Sequence, residues 1–140
     1  MTILVIDAQG GGIGKQLVTA IKQNIPAAHV IAEGTNTAAT TAMLKAGADE
    51  AATGENSVVV GCRRANIIVG PIGIVIADSM LGEITPKMAL AVAQSSAARI
   101  LIPFNHCDNT IVGVSDLNTG TLIQNAVNEI KKLEITDQPS

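Results

Sequence analysis

A strand-like run that leads directly into a cluster of glycines constrains the fold of this chain more than any other feature. Thr2 and the apolar residues 3–6 precede Asp7, and Gly10–Gly12 and Gly14 follow, around the start of an amphipathic segment. Because glycine lacks a Cβ atom, its backbone can turn sharply and approach an anion closely, and the helix that follows offers unpaired N–H groups at its N-terminus. The start of the chain therefore predicts an α/β protein that presents its backbone to a phosphate.

Strand-like and helix-like segments alternate along the rest of the chain. Strands are predicted at Ile3–Asp7, His29–Glu33, Asn66–Gly70 and Arg99–Pro103, with a weaker run at Thr110–Val114. Helices are predicted at Ile13–Asn24, Thr37–Ala46, Glu55–Arg64, Lys87–Ala98 and Leu117–Leu133, and in Pro71–Gly82 a helix is favoured over an irregular loop. This order predicts one doubly wound, mostly parallel sheet with helices on both faces. We expect a single Rossmann-like, three-layer α/β domain over residues 1–133, followed by a flexible C-terminal tail at 134–140.

Composition narrows the classes of function. The 140 residues include one Phe and no Tyr or Trp, and the net charge is −3 without any basic run, so binding to nucleic acid is not expected. The uncharged stretch 65–77 is shorter than the roughly 20 residues of a membrane span, so no membrane partner is expected. Two cysteines outside any C-x-x-C pattern predict reduced thiols and a cytoplasmic location. The apolar, Ala-rich helices predict a homo-oligomer.

The glycine cluster fits each known phosphate-binding pattern only in part. The dinucleotide pattern G-x-G-x-x-G would require glycine where Lys15 stands, and the P-loop pattern would require Ser or Thr, a ligand of Mg²⁺, where Gln16 stands. The absence of Tyr excludes a short-chain dehydrogenase, which needs a Tyr-x-x-x-Lys pair. We nevertheless predict a nucleotide or phosphate site whose cofactor-binding residues include Gly10, Gly11, Gly12, Ile13, Gly14 and Lys15.

Glu33 gives this site a second component. It ends the second predicted strand, where an acid in dinucleotide-binding folds accepts hydrogen bonds from a ribose. Because residues 34–37 contain no Arg or Lys that could bind a 2′-phosphate, NAD(H) is favoured as the cofactor over NADP(H), with ATP second. An acid that merely closes a surface strand is the alternative interpretation of Glu33.

Loops that follow the other strands should share one rim of the sheet with the glycine cluster. They add Thr35, Asn36, Gly70, Pro71 and Gly73 to the predicted binding residues. At this rim the candidates for catalysis are His106 as a general acid or base, Cys107 as a nucleophile, and Asp7. One His and one Cys beside Asp108 are too few ligands to predict a metal site. Asp78 and Glu83, near the same rim, are expected to be solvated acids.

The chain resembles a small uncharacterised bacterial family, a domain of unknown function. The resemblance rests on the following stretches, which extend over nearly the whole chain: residues 5–15, 34–36, 42–48, 53–56, 70–73, 82–88 and 102–103. It implies no activity and therefore no catalytic residue.

Three hypotheses about function follow from these observations. The first is a Rossmann-like protein that binds a nucleotide or dinucleotide. The second is a P-loop-like protein that handles ATP or phosphate, using Lys15 on the phosphate and Asp7 on a metal. The third is a non-catalytic partner protein that self-associates through its apolar helices.

Overall fold

The computed structural model describes residues 1–104, 108–115 and 117–136. Five parallel strands form one sheet: β1 (Thr2–Asp7), β2 (His29–Gly34), β3 (Glu50–Thr53), β4 (Ile67–Pro71) and β5 (Ala98–Ile102). The helices are α1 (Gly12–Asn24), α2 (Thr37–Lys45), α3 (Glu55–Arg64), α4 (Pro86–Gln94) and α5 (Thr119–Thr136), with a short 3₁₀ helix at Ile72–Val75. The strand order is β3-β2-β1-β4-β5. This is the order of the Rossmann fold, so the predicted fold class is confirmed.

Both faces of the sheet are covered. On one face α1, α2 and α5 pack against side chains such as Ile3, Val5 and Val69. On the other face α3, α4 and the 3₁₀ helix pack against side chains such as Leu4 and Ile68. All five of these strand residues are buried. Burial of each such side chain stabilises the fold by about 1.5–3 kcal/mol, so the aliphatic sheet is its main source of stability.

Some predicted elements differ from those in the structure. Residues 110–114 form an irregular segment with a turn at 112–113 rather than a strand, and the edge strand β3 was not predicted. Helix α4 ends at Gln94, four residues before the predicted end, because Ser95 takes extended backbone and its hydroxyl donates to the Cys62 carbonyl at 2.7 Å. Helix α5 continues to Thr136, into the segment expected to be a tail.

The predicted helix over Pro71–Gly82 is wrong except for its first turn. After the 3₁₀ helix the chain forms a series of turns, and we call residues 76–84 the strap. Asp78, Met80 and Leu81 have φ angles of 66°, 55° and 58°, and Gly82 has 85°. A right-handed helix cannot continue through residues in the left-handed region, so the strap crosses the end of the sheet as an irregular loop.

None of the helices in the described ranges has the length and apolar character that crossing a membrane would require.

Candidate functional site

Asp7, the last residue of β1, connects the sheet to the glycine loop. Its Oδ1 accepts a hydrogen bond from the Ala8 N–H at 2.8 Å, and its Oδ2 accepts one from the Gly14 N–H at 2.7 Å. Burial raises the pKa of this carboxyl above its ordinary value, the two backbone hydrogen bonds oppose that rise, and the charge of Glu83 adds to it. Asp7 thus caps the third amide of α1, in place of a capping side chain at Gly11.

The glycines of the loop fall into two groups. Gly11 has a φ of 72°, and a Cβ atom there would lie 2.8 Å from the Ala39 Cα. A Cβ atom on Gly14 would lie 2.6 Å from the Met43 Sδ. In contrast, a Cβ atom on Gly10 or Gly12 would meet nothing within 4 Å, and neither glycine has a positive φ. Packing of the chain therefore requires glycine at positions 11 and 14, but not at 10 and 12.

Three amides of the same loop face no acceptor in the part of the chain that the structure describes. Gly12 and Ile13 are the first two residues of α1, whose N–H groups have no partner within a helix, and Gly10 precedes them. The hydrogen bonds around them use the neighbouring amides instead: Gly11 N–H donates to the Ala8 carbonyl, and Lys15 N–H to the Gly11 carbonyl. The loop therefore keeps donors beside the positive end of the α1 dipole.

A crevice of about 210 Å³ opens next to these amides. It is lined by Asp7, Ala8, Gln9, Gly10, Gly11, Gly12, Ile13, Gln16, Pro71, Met80, Phe104 and Thr119. These residues come from the ends of β1, β4 and β5, the starts of α1 and α5, and the strap, which contributes Met80. The crevice lies where the strand order reverses, between β1 and β4. In open α/β sheets, ligands bind at this switch point, beyond the carboxyl ends of the strands.

A second cavity, of about 510 Å³, adjoins the crevice. The strap contributes most of its lining, and Gln9 and Met80 line both cavities. The crevice alone is smaller than the roughly 300–1,000 Å³ of pockets that enclose a whole ligand. A larger ligand would therefore have to extend from the crevice past Gln9 and Met80.

Sequence reasoning missed the role of Glu83, which was expected to be a solvated acid. Its Oε1 accepts hydrogen bonds from the Gln9 N–H at 2.9 Å, the Thr35 hydroxyl at 2.6 Å and the Asn36 side-chain amide at 2.7 Å. Glu83 therefore holds the strap against the loops that follow β1 and β2. No sequence pattern signals this contact, because 47 residues separate Glu83 from Asn36.

Glu33 lies away from the crevice. Side chains alternate along β2, so Glu33 follows Ile31 onto the face covered by α3 and α4, whereas Val30 and Ala32 face α1. Glu33 is 4% exposed, and its Oε2 has no hydrogen-bond partner among the described residues. Burial raises the pKa of its carboxyl, a rise that Ser57 and Arg64 oppose. In this position Glu33 does not reach a ribose held beside the glycine loop.

Other predicted binding residues also have contacts within the chain. The Asn36 amide donates to both Glu83 and the Gln9 carbonyl, while its oxygen accepts from the Ala39 N–H as the N-cap of α2. Lys15 lines two surface grooves along α1, but not the crevice. Close packing accounts for two further glycines, whose Cβ atoms would lie 2.5 Å from the Ile6 carbonyl oxygen (Gly70) and 2.8 Å from the Met80 Cε (Gly73).

The crevice thus brings together Asp7, Gly10–Gly12, Ile13 and Pro71 of the predicted site. The two other candidates for catalysis, His106 and Cys107, lie outside the described residues. Within the described ranges, no group of three or more His, Cys, Asp or Glu side chains is arranged to hold a metal ion. Self-association and a cytoplasmic location stay predictions from the sequence.

Fold and crevice together define a single-sheet, Rossmann-like α/β protein with an open cleft at its switch point. The chain belongs to the family described as domain of unknown function DUF3842, whose model matches residues 2–135. This match confirms the resemblance to a family of unknown function. No curated protein matches the chain significantly.

Among solved structures, the chain is similar to a dodecameric FMN-dependent Ubix-like decarboxylase from Escherichia coli O157:H7. The two sequences are 12% identical, the TM-score is 0.47, and the alignment covers 99% of this chain and 96% of that one.

Proposed function

We propose that this protein binds a nucleotide-type ligand in the crevice, with a phosphate of the ligand on the amides of Gly10, Gly12 and Ile13. The observation that carries the proposal is the open space at Gly10 and Gly12, where a Cβ atom would meet nothing within 4 Å. Glycine in such a place increases the entropy lost on folding and gains nothing in packing. Close approach of a ligand to the backbone gives glycine a reason to be there.

The charge of the crevice favours a dinucleotide over a triphosphate. None of the lining residues that the structure describes is Lys or Arg, and Asp7 contributes a carboxyl group. Each phosphate of a dinucleotide such as NAD carries one ester linkage, one anhydride linkage and one negative charge, which three amides and a helix dipole can accommodate. The terminal phosphates of ATP carry more charge and usually need Mg²⁺ and a lysine, whereas Lys15 does not line the crevice. NAD(H) is therefore the favoured ligand and ATP the alternative.

Thermal unfolding in the presence of candidate ligands tests this proposal. The probes are NAD(H), NADP(H), FMN, and ATP with and without Mg²⁺. A ligand at 100 times its Kd stabilises the native state by about 2.7 kcal/mol, which raises Tm by several degrees in a domain of this size. We expect that rise with NAD(H), and we expect Gly12→Ala to abolish it by placing a methyl group in the crevice.

Gly120→Ala provides the matched control. A Cβ atom at Gly120 would lie at an ordinary contact distance, 3.5 Å from the Asn118 Oδ1, and Gly120 does not line the crevice. The control should keep the response to NAD(H). A response that requires Mg²⁺ and is lost in Lys15→Ala would favour the ATP alternative. No response to any probe, or a response that Gly12→Ala leaves intact, would overturn the proposal.

A further inference from the structure

Glu83, on the strap, lies beside the proposed site: it accepts a hydrogen bond from Gln9, which lines both cavities, although Glu83 itself lines neither. Its carboxylate lies between Gln9, at the start of the glycine loop, and Thr35 and Asn36, which directly follow β2. Asp7 and Gly34, which end β1 and β2, are paired in register, so this point is the carboxyl end of two adjacent strands. In dinucleotide-binding sheets, an acid from the end of the second strand occupies this region and accepts hydrogen bonds from the ribose.

The two carboxylate oxygens of Glu83 differ in their hydrogen bonding. Oε1 accepts three hydrogen bonds, whereas Oε2 has no hydrogen-bond partner among the described residues. Burial raises the pKa of this carboxyl, but the hydrogen bonds from Thr35, Gln9 and Asn36 outweigh that effect and hold the pKa below its ordinary value. Glu83 is therefore ionised at neutral pH, fixed through one oxygen and able to accept hydrogen bonds through the other.

The acid predicted for the ribose does not occupy this region. Glu33 is buried within the sheet face that α3 covers, rather than at the strand ends. Glu83 supplies a carboxylate at the ends of the same strands, although it comes from the segment between β4 and α4. In dinucleotide-binding folds this acid follows the second strand, whereas Glu83 follows the fourth. The position of the carboxylate relative to the ends of β1 and β2 is similar.

We propose that Glu83 determines which nucleotide is bound, by accepting hydrogen bonds from the vicinal hydroxyls of a ribose through Oε2 and excluding a 2′-phosphate. This inference rests on the proposed function. A ribose diol provides donors that complete the acceptor capacity of Oε2. A 2′-phosphate brings only acceptors and negative charge to a carboxylate whose three donors are uncharged groups. Like charges without a compensating cation repel.

Glu83→Gln separates this role from that of holding the strap. With its carbonyl oxygen in the position of Oε1, glutamine can still accept from Gln9, Thr35 and Asn36, while its NH₂ group replaces the acceptor Oε2 by a donor. The matched control is Glu129→Gln, which makes the same change of side chain on the exposed side of α5, and Glu129 lines neither the crevice nor the second cavity. Tm without ligand, measured for both variants, reports whether the strap remains held.

The experiment measures Kd for NAD⁺ and NADP⁺ by isothermal titration calorimetry. A hydrogen bond to a charged group corresponds to about a ten- to hundredfold change in affinity. We expect wild type to bind NAD⁺ at least about tenfold more tightly than NADP⁺. Glu83→Gln should reduce this preference to about threefold or less, mainly by weakening the binding of NAD⁺, and Glu129→Gln should keep it.

The possible failures are distinguishable. Wild type that binds NAD⁺ and NADP⁺ equally overturns the role of Glu83 without any variant, and leaves the proposed function standing. A preference that survives Glu83→Gln does the same. If Glu83→Gln lowers the Kd for NAD⁺ and the Kd for NADP⁺ by the same factor, Glu83 obstructs the site and does not distinguish the two ligands. That result also contradicts the inference. Wild type that binds neither dinucleotide overturns both the inference and the NAD-type ligand of the proposed function.

Discussion

The Asp7 carboxylate accepts a hydrogen bond from the Gly14 amide at 2.7 Å, and this contact orients the glycine loop. It joins the last residue of a buried strand to the third residue of a helix, so the loop between them is held at both ends. The same contact uses one amide of the helix N-terminus internally and leaves Gly12 and Ile13 for a ligand. The hydrogen bonds of Asp7 therefore assign it a structural role, which is to cap α1 and hold the glycine loop.

Replacing Asp7 should reduce stability. Asp7→Ala removes two hydrogen bonds and leaves the amides of Ala8 and Gly14 without acceptors in a buried place. We expect the free energy of unfolding to fall by about 1–3 kcal/mol, measured by urea denaturation. Asp7→Asn keeps one acceptor and turns an NH₂ group toward the other amide, so its free energy of unfolding should fall by less than that of Asp7→Ala. An Asp7→Ala variant as stable as wild type would contradict the capping role.

Glu33 should make the protein less stable as the pH rises. Its carboxyl has a raised pKa in the folded state, so the folded state binds more protons than the unfolded state above the ordinary glutamate value of about 4.3. By linkage, the stability associated with protonated Glu33 is present near about pH 4 and is lost as the pH rises through the raised pKa. Glu33→Gln should therefore be more stable than wild type at neutral pH, with a gain that shrinks toward about pH 4.

Urea denaturation across this pH range checks the prediction for Glu33. Glu129→Gln, on the exposed side of α5, corrects for the loss of one negative charge. A gain in Glu33→Gln that does not vary with pH, or that the control reproduces, would contradict ionisation of a buried carboxyl as its cause.

Alanine substitutions should separate the two groups of glycines. Gly14→Ala forces a methyl group against the Met43 sulfur and Asp7, and we expect it to cost about 1–3 kcal/mol of stability. Gly12→Ala fills open space at the first position of a helix, so its stability should stay within about 0.5 kcal/mol of wild type or rise. Chemical denaturation of both variants in the absence of ligand tests the difference. Equal losses would mean that packing also requires Gly12.

Replacing Leu81 of the strap by a residue that tolerates left-handed backbone should stabilise the protein. Leu81 is 97% exposed and has a φ of 58°, a conformation that costs most L-residues about 1–2 kcal/mol. Leu81→Asn should therefore raise the free energy of unfolding by up to about 1 kcal/mol, since it loses almost no contact. Leu44→Asn, on the half-exposed face of α2, is the control and should lower stability because asparagine is a poorer helix former. A loss of stability in Leu81→Asn would be evidence against the strained strap.

The Cys62 thiol should be unreactive in the folded protein. Burial, with a further contribution from the charge of Glu33, raises its pKa to about 11. Because the thiolate is the reactive species, a thiol reagent at about pH 8 should modify Cys62 slowly in the native state and rapidly in denaturant. Cys107→Ser leaves Cys62 as the single thiol and is the variant to use. Modification at equal rates in both conditions would contradict the buried position.

The sequence predicts the elements with strong local signals. The β-branched runs of β1, β2 and β4 and the amphipathic pattern of α1 show which residues must be buried, and the alternation of elements then leads to the parallel sheet. In contrast, β3 consists of Glu-Ala-Ala-Thr, residues with low strand propensity apart from the threonine. It pairs with β2 at the edge of the sheet, and this tertiary pairing has no local signal.

The candidate site was predictable only where it depends on backbone. The glycine cluster and the end of β1 indicate an anion site near Gly10–Ile13 because their geometry is local. The direction of Glu33 was not predictable, since both faces of β2 are buried and an apolar pattern does not distinguish them. The contact of Glu83 with Thr35 depends on the path of the strap, which residues in left-handed conformations determine.

The most direct test of the proposed ligand site follows individual amides by NMR. In ¹⁵N–¹H spectra of the wild-type protein titrated with NAD⁺, the signals of Gly10, Gly12 and Ile13 should shift most, because their amides would acquire a phosphate as acceptor. Lys45, on the outer surface of α2, should not shift. Saturable shifts at the three amides would support binding in the crevice. Shifts confined to other residues, or unchanged spectra with NAD⁺, NADP⁺, FMN and ATP alike, would contradict it.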